Sequence, residues 1–146
     1  MFLKYVLLGS ILLCATCCPE DDCAAVLCEG PPILGFEVIK DNENVFLNDT
    51  YTLADVTIDG ENIDGITLSL ANSDEPSSIL VIENNGWAPG TFEYILNFST
   101  DASIPLKVNI KNSPSGGCCG GIARLEQLTI NGQVQEKTFG FQIILD

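Results

Sequence analysis

Along most of the chain, apolar and polar side chains alternate one for one. ILGFEVIK (residues 33–40) starts the pattern, and YTLADVTID (51–59) continues it with an irregularity near Asp55. Ile66, Leu68 and Leu70 alternate with Thr67 and Ser69; Phe92, Tyr94, Leu96 and Phe98 with Glu93, Ile95 and Asn97; Ile104, Leu106, Val108 and Ile110 with Lys107, Asn109 and Lys111. Leu128 and Ile130 lead into Asn131-Gly132, and Phe139, Phe141, Ile143 and Leu145 close the chain. Successive side chains of a strand point to opposite faces, so a period of two marks strands with one buried face. SILVIE (78–83) is a continuous apolar run and predicts a more fully buried strand. About eight such runs, separated by Gly, Pro, Asn and Asp, predict an all-β fold. They fit a single two-layer antiparallel β-sandwich, Ig-like or transthyretin-like, over residues 33–146.

Turn chemistry sharpens this reading. Asn131-Gly132 is the best two-residue hairpin turn, because both residues tolerate positive φ. Pro89-Gly90 marks a second turn. Pro105 interrupts a good strand pattern without an N–H to donate, so that strand is expected to be an edge there or bulged. The immunoglobulin Cys-Trp-Cys signature is absent, and Trp87 lies in a Gly-Trp-Ala-Pro-Gly loop instead.

The N-terminus follows another logic. In MFLKYVLLGSILL, Lys4 precedes an apolar run from Tyr5 to Leu13. That run falls short of the roughly 20 residues needed to span a bilayer. A basic residue, a short apolar stretch and then small residues are the layout of a secretory signal. Ala15-Thr16 precede Cys17-Cys18, and Pro19-Glu20-Asp21-Asp22 follow. This stretch resembles a bacterial lipoprotein signal, in which a cysteine becomes the acylated mature N-terminus. The resemblance implies a signal peptide over 1–16 and acylation of Cys17, with Cys18 as the alternative. The aliphatic position of the lipobox is here occupied by Cys14. Residues 17–32 then read as an acidic, cysteine-bearing tether ending in Gly30-Pro31-Pro32, with Glu20–Cys28 its one helical candidate. The acidic block resembles the export tags of Bacteroidetes surface lipoproteins. With Cys118-Cys119-Gly120-Gly121 and Ile130-Asn131-Gly132, the layout resembles the short β-rich lipoproteins of that group. This implies attachment to the cell envelope, in particular the outer membrane, through an N-terminal lipid.

Charge and composition narrow the function. The net charge is −14, and loss of Lys4 with a signal peptide makes it more negative. Such a chain is unsuited to nucleic acid, whose phosphates demand Lys and Arg. It has no His, the commonest general base and metal ligand. No spacing of Asp, Glu, Ser or Cys singles out a catalytic pair. A non-catalytic role is therefore expected, with no cofactor and with an envelope protein or glycan as partner.

Four cysteines remain to be placed. Cys118 and Cys119 sit between glycine pairs, and Cys23 and Cys28 lie in the tether. Export favours disulfides between the two sets. A bond between Cys118 and Cys119 and a soft-metal site built from all four are the alternatives. If Cys17 is acylated, Cys18 is left over; if Cys18 is acylated, Cys23, Cys28, Cys118 and Cys119 can all pair. Oxygen-rich stretches at 41–44, 59–64 and Asp74-Glu75 could serve calcium, but none has the EF-hand spacing and all suit turns. Trp87 offers a flat face for a sugar or partner. The expected function is a lipid-anchored, non-catalytic interaction or structural module; the alternative is a lipoprotein binding a small ligand or a metal.

Overall fold

The computed structural model describes residues 23, 27–72, 78–116, 118–136 and 140–146. The apolar N-terminus, Cys17, Cys18, the acidic block, Asp74, Glu75 and Phe139 lie outside them. Ten strands occur among the described residues: β1 (Leu34–Lys40), β2 (Glu43–Asn44), β3 (Val56–Gly60), β4 (Ile66–Asn72), β5 (Ser78–Asn84), β6 (Gly90–Phe98), β7 (Ala102–Asn112), β8 (Ala123–Ile130), β9 (Gln133–Val134) and β10 (Phe141–Leu145). They form two sheets, β10-β1-β5-β4 with β2 beside β1, and β3-β6-β7-β8-β9. The protein is an all-β sandwich.

The alternation drives this arrangement. Leu34, Phe36 and Val38 of β1, Leu80 and Ile82 of β5, and Phe141, Ile143 and Leu145 of β10 point inward from one sheet. Tyr94, Leu96 and Phe98 of β6 and Ile104, Leu106, Val108 and Ile110 of β7 point inward from the other, and all join a single core. Burying a side chain of this size contributes about 1.5–3 kcal/mol. Phe36 and Phe141 meet across the β1–β10 pair, with ring centroids 5.7 Å apart. β5 is covered less completely than its composition suggests. Leu80 and Ile82 are buried, whereas Ile79 and Val81 on the other face are half-buried.

Pairing is antiparallel except between β1 and β10, which run parallel with Phe36 opposite Phe141. In chain order, β4-β5-β1 facing β3-β6-β7 is the connectivity of strands D-E-B facing C-F-G in an immunoglobulin-type sandwich. There, strand A flanks B. Here the chain's last strand takes that place.

Local chemistry explains the turns. Asn131 and Gly132 have φ of 48° and 78° and join β8 to β9 in a two-residue hairpin. Asp41 and Asn42, with φ of 53° and 66°, do the same between β1 and β2, so this acidic stretch is a turn. β7 is flanked by β6 along 102–110 and by β8 only along 106–112, so at Pro105 the strand is an edge, as the missing N–H led one to expect. The proline is tolerated because β8 ends at Ile130, opposite Leu106. Only the Asn131 N–H reaches the Pro105 carbonyl, at 2.9 Å. The bulge in β7–β8 lies further along, between Asn109 and Ile110. The irregularity near Asp55 is a 3-10 turn at Leu53–Asp55.

Asp55 also has an acid-base role in that turn. Its Oδ2 accepts the Thr52 hydroxyl at 2.7 Å and the Thr52 N–H at 2.8 Å. These bonds favour the carboxylate and hold its pKa below the ordinary 3.8, the hydroxyl contributing most. Stability from this group is present above the usual carboxylate range and is lost as pH falls through the depressed value. An Asp55→Ala variant is therefore expected to be less stable than the parent at pH 6. The difference should shrink as the pH is lowered below the usual carboxylate range, as urea titrations at pH 6 and in acid would show.

Candidate functional site

The most built feature outside the core is the β7–β8 connection and what it holds. Ser113 is buried and organises it. Its hydroxyl donates to the Cys119 carbonyl at 2.6 Å and accepts the Ile122 N–H at 3.1 Å. Its backbone N–H donates to the Ile122 carbonyl at 2.8 Å. Gly121 takes φ of +77°, and a Cβ on Gly120 would lie 3.0 Å from the Gly116 nitrogen, so glycine is required for so tight a loop. The loop presents Cys118 and Cys119 side by side to the tether.

Both cysteines are used. Cys23 bonds to Cys118 and Cys28 to Cys119, with Cα–Cα distances of 5.1 and 5.5 Å. Of the three arrangements open to the sequence, this is the pairing between tether and loop. It leaves no thiolate among these four for a metal. Past the bridges, Glu29 meets Arg124 at 2.6 Å in an exposed ion pair. Pro32 then accepts the Trp87 Nε1–H at 2.9 Å.

Trp87 is turned inward. It is 8 % exposed and packs edge-on to Phe92 (5.0 Å) and Tyr94 (6.3 Å). The indole closes one end of the sandwich over the tether's last residues and offers no open face to a sugar or partner. An apolar loop residue with a single polar handle is as suited to this closure as to display, and the spacing alone does not separate the two.

Tyr94, beside it, has a buried hydroxyl with no hydrogen-bond partner among the described residues. Asn84 is close by but directs its Oδ1 to the Gly86 N–H at 2.7 Å. Burial pushes the Tyr94 pKa up. A buried hydroxyl without a partner carries its desolvation cost uncompensated. Tyr94→Phe is expected to leave stability unchanged or raise it by up to about 1 kcal/mol in chemical denaturation. A loss larger than that would reveal a partner for the hydroxyl.

The outer face of the β3-β6-β7-β8-β9 sheet carries an open groove of about 510 Å³ lined by Gly60, Glu93, Ile95, Pro105, Lys107 and Thr129 among others. Ile95 and Pro105 pair across the strands, and beside them Glu93 and Lys107 form an ion pair at 3.0 Å. A second hollow of about 460 Å³ shares Gly60 and Glu93 and adds Glu61. The groove can take a small apolar group beside a charge. Among the described residues no group of three His, Cys, Asp or Glu side chains is placed to hold a metal. The 41–44 carboxylates belong to a hairpin, and Asp59 accepts the Asn97 amide at 2.8 Å.

No known protein family matches the sequence, and neither the curated proteins nor the solved structures contain a match. Among the described residues no helix is long and apolar enough to cross a membrane.

Proposed function

We propose that the chain is a lipid-anchored lipoprotein of the bacterial cell envelope whose sandwich serves as a non-catalytic interaction or structural module. The reading is supported above all by the two bridges Cys23–Cys118 and Cys28–Cys119. Disulfides persist in oxidising compartments, which suits an exported chain. They tie the domain to the very segment that follows the signal-like N-terminus and its cysteines. In this reading residues 1–16 are removed and Cys17, or Cys18, carries the lipid. The acidic tether is repelled by an anionic leaflet and keeps the domain off it. The domain works by display, meeting an envelope protein or glycan through loops or a strand edge.

The test is the intact mass of the protein from the membrane fraction of its native host, with and without reductant. Diacyl or triacyl mass on a chain starting at Cys17 or Cys18, with a gain of four hydrogens on reduction, is the expected result. A soluble chain without acyl mass would overturn the anchor and leave a secreted domain.

A further inference from the structure

We infer that the bridges act as a clamp that limits how far the sandwich stands from its anchor; this rests on the lipid-anchor reading above. Among the described residues of the tether little else holds it to the domain: Leu27 is 99 % exposed, and Glu29–Arg124 is an exposed ion pair. Firm noncovalent attachment resumes at Pro32, where Trp87 donates to its carbonyl. The bridges therefore set the first point at which the tether is fixed to the domain.

Counting from Cys17 at about 3.3 Å per extended residue, the free tether spans at most ~20 Å to Cys23, ~36 Å to Cys28 and ~50 Å to Pro32. With both bridges closed the shortest limit applies. Acylation at Cys18 shortens each span by one residue.

Cys23 and Cys28 attach to the adjacent Cys118 and Cys119 at the end of the sandwich where β7 ends and β8 begins, since Asn112 pairs with Ala123. Pro32 and Trp87 lie at the same end, so the bridges change the length of tether between anchor and domain and leave the end it enters unchanged.

Trp87 provides the test, because it is the chain's one tryptophan and lies at the clamped end. Full-length protein carrying acyl mass is reconstituted into phosphatidylcholine vesicles containing a dansyl-headgroup lipid, and energy transfer from Trp87 to dansyl is measured. Wild type and a C28S/C119S variant, which keeps the shortest tether, should show the highest transfer. A C23S/C118S variant should be lower and the variant lacking all four cysteines lowest, about twofold below wild type. Equal transfer in all four overturns the clamp. If the variant lacking both bridges does not fold, the two single-bridge variants decide: a difference supports the clamp and equality overturns it. Absence of acyl mass is seen before any fluorescence is read, and overturns the anchor together with the clamp built on it.

Discussion

Removing both disulfides is expected to lower the stability of the sandwich by roughly 2–3 kcal/mol, while removing either alone costs well under 1 kcal/mol. The bridges join residues 95 and 91 positions apart, so each restricts the unfolded chain to a long closed loop. In the folded protein without bridges, however, the freed segment only frays back to Pro32, where Trp87 holds the backbone. Closing that short stretch again also has an entropic cost. The net stabilisation is therefore the difference between closing a loop of about 90 residues and one of a few, which the chain-entropy treatment places at roughly 2–3 kcal/mol. One bridge already supplies nearly all of it, because the second closes a similar short ring whether the chain is folded or unfolded. The variants must then be strongly non-additive. Urea titration of wild type, C23S/C118S, C28S/C119S and the variant lacking all four cysteines measures this directly. For a domain of this size the full loss corresponds to roughly 10–20 °C in melting temperature. Two additive losses of similar size would show that each bridge carries its own folded structure.

The sandwich was legible because its strands carry the period of two. The eight strands of five or more residues all fall on the alternating runs or on the 78–83 run. β2 and β9, two residues each, are too short to show any period. The parallel placing of β10 beside β1 was not legible, because local sequence does not encode which distant strand a terminal strand joins. Asp41-Asn42 shows a nearer ambiguity. Acidic and amide side chains suit both cation binding and left-handed turns, and the two positive φ values decide for the turn. The cysteines were the most informative part of the candidate site, since their segregation into tether and loop already favoured bridges between the two. Trp87 was the least informative, because inward packing depends on partners as remote as Pro32. Nothing along the chain marked Gly60, which follows an ordinary alternating run.

Gly60 carries the second large effect: replacing it by Ala is expected to cost roughly 2–4 kcal/mol, and by Val more. It is the last residue of β3, paired with Tyr94, and its φ of +148° is one that side chains rarely adopt. A Cβ there would lie 2.6 Å from the Glu93 carbonyl oxygen and 2.8 Å from Tyr94 Cδ1. The oxygen belongs to the backbone of β6, which pairs with β7 along its whole length, so it cannot retreat without breaking that ladder. The tyrosine ring is hemmed in by Trp87 and Phe92. Relief must come from β3 itself, a five-residue edge strand, and the expected signature is local: faster amide exchange over 56–60 with β6–β7 still protected. Two other glycines serve as controls. Gly30 has nothing within 4 Å, and at Gly35 a Cβ would meet only the Ile79 Cγ2, at 3.2 Å, a side-chain methyl that must give by a few tenths of an ångström. Gly30→Ala should be neutral and Gly35→Ala nearly so. If Gly60→Ala proved as mild as these, β3 would have to shift freely, and the groove whose edge Gly60 forms would be a pliable surface rather than a rigid one.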